Sequence, residues 1–225
     1  KETFMPSRLK FAILASTVIL AACAPMSSTP QNAMSFFVTS ANPGQGANLG
    51  GLAGADAYCQ KLATSANAGN KNWRAYLSAA PNGASPAVNA RDRIGSGPWQ
   101  NAKGVVVATS VDNLHSASNQ LTKQTALTEK GDVVNGRSDA VNMHDILTGS
   151  TPDGRLATSA KDTTCGNWTQ GAEGSAIVGH HDRDGTNPDP VANVSWNASH
   201  GTRGCGLEAL KSTGGAGLMY CFAAN

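Results

Sequence analysis

Imidazole and carboxylate side chains lie close together in the stretch 180–189, which reads His-His-Asp-Arg-Asp-Gly-Thr-Asn-Pro-Asp. Oxygen ligands at alternating positions can hold Ca²⁺, so Asp182, Asp184 and Asp189 are candidate calcium ligands. The stretch lacks the glutamate that closes an EF-hand loop, and an Asx-rich turn that caps its own backbone explains the same residues. The sequence therefore predicts that no cofactor is required, with bound Ca²⁺ as the alternative.

Zinc is a second ion to consider, since His180, His181 and His200 offer three imidazoles. Adjacent residues of a strand face opposite sides of a sheet, so His180 and His181 cannot both face one ion without a bulge. The alternative is that one histidine makes a structural hydrogen bond while the other is solvated. The spacing favours structural histidines over a zinc site.

Catalytic motifs are missing from the sequence. It contains no Gly-x-Ser-x-Gly elbow, no His-Glu-x-x-His and no phosphate-binding loop. Neighbouring carboxylates such as Asp182 and Asp184 are explained by the solvation of a loop. We therefore predict that the protein is not an enzyme, and a hydrolase remains the weaker alternative.

The predicted ligand-binding residues come from the last third of the chain. A glycan could stack on Trp99, Trp168 or Trp196, although burial is the commoner fate of a tryptophan. An internal hydrogen-bond network is the alternative role for the whole set. The residues that we predict to form one shared surface or subsurface cluster are Trp168, His181, Asp182, Arg183, Trp196 and His200.

Short strands must position these residues, because each run after Thr163 has β-formers or an aromatic residue bounded by Gly, Asn, Asp or Pro. No amphipathic helix is predicted there, and the apolar run 218–224 predicts a central strand. The middle section, 81–162, lacks strong periodicity, which is typical of functional or irregular loops. Further strands are predicted at 36–39, 73–78 and 105–108, and helices at 52–65 and near 121–128.

The first 22 residues, with a start at Met5, have the pattern of a bacterial lipoprotein signal. Arg8 and Lys10 precede an uncharged stretch, 11–22, that is too short to span a membrane. The run Leu-Ala-Ala-Cys that ends at Cys23 has the form of a lipobox, which predicts lipidation of that cysteine; an ordinary secretory signal is the alternative.

The predicted lipid anchor sets the expected location and the domain boundaries. Residues 23–34 form the lipidated start and a flexible linker rich in Ser, Thr and Pro. Residues 35–225 are enough for one domain with a core of its own. Ala24 follows the lipidated position, which favours the outer membrane. We therefore expect a lipid-anchored protein of the bacterial cell envelope, at the outer membrane or the cell surface.

Composition and cysteine count agree with an exported domain. Lipidation of Cys23 leaves four cysteines, an even number that favours two disulfides, and the sequence alone does not choose among their three pairings. Only 14% of the residues are charged, and the net charge is +2. A nucleic-acid partner is not expected, because no basic face is clustered in the sequence.

Six blocks of sequence resemble the bacterial endostatin-like surface lipoproteins, including leptospiral adhesins, within the C-type-lectin-like domains. The blocks are Leu-Gly-Gly-Leu-Ala-Gly-Ala-Asp-Ala-Tyr-Cys at 49–59, Trp-Arg-Ala-Tyr-Leu-Ser at 73–78, Cys-Gly-Asn-Trp-Thr at 165–169, Val-Gly-His-His-Asp-Arg at 178–183, Ser-Trp-Asn at 195–197 and Tyr-Cys-Phe-Ala at 220–223. The resemblance covers residues 35–225. It implies an α+β fold with a mixed, twisted, largely antiparallel sheet, few helices, long loops and two nested disulfides, Cys59–Cys221 around Cys165–Cys205.

The same resemblance implies a surface module that binds extracellular macromolecules, with an extracellular protein or glycan as its partner. A carbohydrate-binding lectin is the alternative. Calcium-dependent lectins of this class use Glu-Pro-Asn or Gln-Pro-Asp before a strand cysteine, together with Trp-Asn-Asp. Here Ala198 follows Trp-Asn, and Asn-Pro-Asp at 187–189 comes after Cys165. These departures argue against the calcium-dependent mechanism.

Overall fold

A computed structural model describes residues 1–3 and 32–224. The predicted signal, Cys23 and most of the predicted linker lie outside the described residues, so those assignments stay predictions. Within the described part, no helix has the length and apolar character needed to cross a membrane. The strands are β1 (Phe36–Val38), β2 (Trp73–Ala75), β3 (Trp99–Gln100), β4 (Val106–Ala108), β5 (Asp145–Leu147), β6 (Ile177–His180), β7 (His200–Gly201) and β8 (Gly215–Ala223). The helices are α1 (Gly51–Ser65), a 3₁₀ turn (Ala90–Asp92), α2 (Val111–Leu114), α3 (Cys165–Trp168), α4 (Pro190–Asn193) and α5 (Leu207–Lys211).

The last strand, β8, is the centre of the main sheet, whose order is β1-β8-β5-β6-β7 with β2 also paired to β8. β8 runs antiparallel to β1 and β2 and parallel to β5, while β5, β6 and β7 pair antiparallel in turn. β3 and β4 form a separate antiparallel pair. The predicted α+β class, with an antiparallel-rich mixed sheet and few helices, is therefore confirmed. The predicted strand at the end of the chain is also confirmed.

Two disulfides crosslink the domain. Cys59 of α1 is bonded to Cys221 of β8, and Cys165 is bonded to Cys205. This is the nested pairing that the resemblance implied. Disulfides of this kind are consistent with an extracellular or cell-envelope location, where thiols are oxidised.

Helix α1 packs its small residues against the sheet. The buried positions Ala55, Cys59 and Ala63 recur every four residues, so they form one stripe along the helix. The helix starts after Gly50, which has the left-handed φ of 75° that a side chain disfavours. The predicted helix 52–65 therefore differs from the observed one by a single residue.

Weak local signals account for the helices that sequence analysis placed wrongly. The helix predicted near 121–128 is wrong: Thr125 folds back on Thr122 in a turn, and Leu127 pairs with Val133. Three short helices, α3, α4 and α5, follow residue 163, where no amphipathic helix was predicted, and α5 buries Leu210. Helices of four or five residues are too short to display a helical period.

Two apolar cores lie on either side of the main sheet. One contains Phe37, Trp73 and Trp168, together with both disulfides. The other contains Trp99 and Trp196 with Phe36 of β1 and with Tyr220 and Phe222 of β8. Alternating residues of β1 and β8 supply opposite cores, as the two-residue period of a strand requires.

Gly179 of β6 allows the segment after α4 to lie directly on the sheet. A Cβ atom at this position would be 2.0 Å from the carbonyl oxygen of Trp196 and 2.2 Å from the amide nitrogen of Asn197. Both neighbours are backbone atoms, so a methyl group there forces the backbone apart. We expect Gly179→Ala to lower the free energy of unfolding by about 3 kcal/mol or more, measured by urea denaturation. Gly201→Ala is the control, because its Cβ would meet only a serine hydroxyl at 3.2 Å; equal losses in the two variants would contradict this explanation.

Candidate metal centre

Strand register brings three polar side chains to one face of the sheet. Asp145, the first residue of β5, is paired directly with His180, the last residue of β6. His200 of β7 is paired with Val178, which lies two residues before His180. Residues two apart on a strand point to the same face, so Asp145, His180 and His200 share that face. His144 precedes β5 and joins them.

The side chains of this group meet at one oxygen atom. Oδ1 of Asp145 lies 3.2 Å from Nε2 of His144, 3.3 Å from Nε2 of His180 and 3.3 Å from Nε2 of His200. The side chain of Asp145 is 1% exposed, and those of His144 and His180 are 4% and 2% exposed, whereas His200 is 30% exposed. We call these four residues the His/Asp cluster. The ligand atoms of His144, Asp145 and His180 all lie within 4.8 Å of one another, so these three residues could hold a metal ion.

Electrostatics keep the carboxyl group of Asp145 ionised. Burial raises its pKa, but the contacts with His180 and His200 outweigh burial and bring the pKa below the ordinary value. The contact with Asp145 in turn raises the pKa of His200, against the opposite effect of burial. The cluster therefore has a negative charge at its centre, surrounded by imidazoles.

An open cavity of about 330 Å³ adjoins the cluster. Three of its walls are the imidazoles of His144, His180 and His200, and Arg137 lies at its rim with a side chain that is 39% exposed. Among residues 1–3 and 32–224, the guanidinium of Arg137 makes one long ion-pair contact, 3.5 Å, with a carboxylate oxygen of Asp184. The remaining lining residues are Asn142, Gly185, Thr186, Asn187, Pro188 and Thr213.

The three aspartates predicted to bind calcium have separate roles. Asp182 accepts from the backbone N–H groups of Arg137 and Asp184 and contacts Nδ1 of His144 at 3.2 Å. Asp189 caps α4 by accepting from two backbone N–H groups, and Asp184 is half-exposed. Within the described residues these carboxylates form no cluster of ligand atoms. Calcium binding there stays a prediction without structural support.

The histidine set weighed for zinc needs a correction. Nε2 of His181 faces the carbonyl oxygen of Asn135 at 3.1 Å, away from the cluster, as the alternation of side chains along a strand requires. His180 and His200 do come together, and their partners are His144 and Asp145, which sequence analysis missed. The available signal was a His-Asp pair directly before the apolar pair Ile146-Leu147.

The six residues predicted to form one surface or subsurface cluster lie in different surroundings. Trp168 and Trp196 are 0% and 3% exposed and belong to opposite cores, so they share no surface. Trp99 is 1% exposed, which removes it as a stacking platform for a glycan. Arg183 donates to the carbonyl oxygen of Leu121 at 2.7 Å and contacts Asn119, so it holds loops together. The alternative of an internal hydrogen-bond network describes these residues better.

Comparison with known proteins adds no relative. No protein-family model matches the chain, and no curated protein matches it.

Proposed function

We propose that this chain is a non-catalytic ligand-binding module of the bacterial cell exterior, with a C-type-lectin-like domain anchored through a lipid on Cys23. The observation that carries the proposal is the open polar cavity beside the His/Asp cluster, with Arg137 at its rim. A guanidinium presents five donors in a planar fork, and within the described residues the guanidinium of Arg137 makes one long side-chain contact, with Asp184. Such a group is suited to a carboxylate on the ligand.

A binding role is favoured over hydrolysis by the surroundings of Ser199, a serine that contacts the cluster. Oγ of Ser199 lies 3.2 Å from Nδ1 of His180, whose Nε2 faces Asp145. Nδ1 of His180 also lies 3.0 Å from the carbonyl oxygen of Asn193. A carbonyl oxygen only accepts, so Nδ1 carries the hydrogen and cannot take a proton from Ser199. This arrangement does not activate a nucleophile.

The lining of the cavity favours a protein ligand over a glycan. Its polar groups are imidazoles, amides, hydroxyls and a guanidinium, and within the described residues no Trp, Tyr or Phe lines it. All four tryptophans are buried, so none of them offers a stacking surface to a sugar ring. We therefore propose an extracellular protein with an exposed Asp or Glu side chain as the ligand, and a lectin becomes the second candidate.

Capture experiments with matched arginine variants test this proposal. The full chain is presented to matrix, plasma and envelope fractions, beside Arg137→Gln and the control Arg155→Gln. Arg155 is suited to this use because it lies away from the cavity in an exposed ion pair with Asp153. We expect Arg137→Gln to weaken capture of the bound protein about tenfold, and Arg155→Gln to leave it unchanged.

Three results would count against the proposal. Equal capture by both variants would remove Arg137 from the binding site. Binding on a glycan array, without capture of any protein, would favour the lectin. Turnover of an ester, peptide or glycan panel by the full chain would require a hydrolase.

A further inference from the structure

The His/Asp cluster has the ligand types of a zinc site, and we propose that it binds one zinc ion through Oδ1 of Asp145 and Nε2 of His144 and His180, with Nε2 of His200, which also contacts Asp145, as the fourth ligand. Zinc lies about 2.0–2.1 Å from such ligands, so neighbouring ligand atoms in a tetrahedron are about 3.3–3.4 Å apart. The three contacts that meet at Asp145 measure 3.2, 3.3 and 3.3 Å. The inference goes beyond the proposed ligand binding and does not depend on it.

Outer hydrogen bonds direct the free nitrogen of each imidazole towards the same point. Nδ1 of His144 lies 3.2 Å from a carboxylate oxygen of Asp182. Nδ1 of His180 lies 3.0 Å from the carbonyl oxygen of Asn193, and Nδ1 of His200 lies 3.2 Å from that of Gly201. Each of these oxygens accepts a hydrogen, so we assign the hydrogen to Nδ1 and the lone pair to Nε2. A carboxylate or carbonyl behind each imidazole is the usual outer shell of a metal-bound histidine.

This orientation leaves the centre of the cluster without a hydrogen-bond donor. Three buried atoms of the cluster have no hydrogen-bond partner among the described residues. They are the two carboxylate oxygens of Asp145 and Nε2 of His180. Unpaired buried polar atoms are costly. A proton shared between Asp145 and His200 would satisfy one of the three contacts and leave two. A cation at the centre satisfies all of them.

The donor types select zinc over the calcium that the sequence suggested. Ca²⁺ and Mg²⁺ are bound by oxygen atoms and take six or more ligands, whereas this cluster offers three nitrogens and one oxygen. Copper(II) prefers a tetragonal arrangement, while zinc accepts four ligands in a tetrahedron. Four protein ligands complete the coordination of zinc, as in structural sites. A structural ion agrees with the arrangement at Ser199, which His180 does not activate.

Two glycines allow backbone to pack directly on the ligand rings. A Cβ at Gly214 would lie 2.9 Å from Cδ2 of His144, and a Cβ at Gly185 would lie 2.6 Å from Cε1 of His180. Gly214 also has φ of +104°, a conformation that other residues rarely adopt. The rings of His144 and His180 are therefore held in place from outside the cluster, which lowers the reorganisation required when an ion binds.

Metal analysis of the full chain tests the inference. The oxidised protein is stripped with a chelator, loaded with Zn²⁺, washed and measured by elemental analysis. Co²⁺ loading gives an independent readout, because tetrahedral Co²⁺ absorbs visible light far more strongly than octahedral Co²⁺. We expect about one ion per chain, a strong visible Co²⁺ spectrum, and a thermal midpoint that rises with free Zn²⁺.

Ligand variants and a matched histidine control complete the design. His200→Gln and Asp145→Asn each remove one ligand, and we expect each to weaken zinc binding about 100-fold or more. The imidazole of His181, the residue next to His180, faces the carbonyl oxygen of Asn135. His181→Gln should therefore retain full affinity for zinc. His200 is partly exposed, so His200→Gln tests the site even if Asp145→Asn does not fold.

Several outcomes would overturn the zinc site. These are a loaded chain with well under one ion, a weak octahedral Co²⁺ spectrum, or His200→Gln that binds zinc as tightly as the unaltered chain. Equal weakening by His181→Gln and His200→Gln would mean that the ion is bound elsewhere. None of these outcomes affects the capture test with Arg137→Gln, so the two proposals fail separately.

Discussion

Removing the disulfide between Cys59 and Cys221 is expected to lower the free energy of unfolding by about 5 kcal/mol. The bond joins α1 to β8 and closes a loop with a sequence separation of 162 residues. A crosslink over so long a loop greatly restricts the unfolded chain, and its loss returns that freedom. Both cysteines are fully buried, so alanine at the two positions also leaves a small cavity beside Trp73 and Phe37. The loss of unfolding free energy is measured on the variant with alanine at both positions, by urea denaturation monitored through tryptophan fluorescence.

The second disulfide provides the matched control. Cys165 and Cys205 are separated by 40 residues, and the same chain-entropy argument assigns their bond about 4 kcal/mol. The corresponding double alanine variant should therefore lose less stability. A variant that is unfolded in buffer can be compared in a trimethylamine N-oxide titration, which restores burial. If removal of the shorter loop costs more, loop entropy does not govern the stability of this domain.

Asp56→Ala is expected to cost about 3–5 kcal/mol, because it leaves the buried guanidinium of Arg93 without its carboxylate partner. The carboxylate of Asp56 accepts two hydrogen bonds from Arg93, at 2.7 and 2.9 Å, and one from the backbone N–H of Ala75 at 2.9 Å. The side chains of Asp56 and Arg93 are each 11% exposed, and Arg74 makes a further contact at 2.8 Å. This network ties α1 to β2 and to the segment after the 3₁₀ turn.

An exposed pair shows what burial contributes to that loss. Asp153 and Arg155 form an ion pair at 3.1 Å with side chains that are 55% and 60% exposed. Asp153→Ala is therefore expected to cost about 1 kcal/mol or less, since exposed pairs are weak. Thermal unfolding of both variants measures the two losses. Similar losses would show that the buried carboxylate of Asp56 is not needed to neutralise Arg93.

Strong local signals account for the elements that the sequence predicted well. The helix 52–65 has small apolar residues at helical spacing, and the run 218–224 is long, apolar and free of breakers. Both features depend on neighbouring residues, so a window of the sequence contains them. β5 lacks such a signal: its three residues are too few for a strand period, and it lies in a long irregular section. For this reason His144 and Asp145 were overlooked.

The sequence by itself determined the α+β class, the main helix, the final strand and an even set of cysteines for two disulfides. It also ruled out a shared ion for His180 and His181, because neighbouring residues of a strand face apart. Only the tertiary structure decided which histidines meet. The pairing of β5, β6 and β7 places Asp145, His180 and His200 on one face, and shifting β5 by one residue would turn Asp145 to the other. That register depends on contacts between residues far apart in the chain, which no local pattern contains.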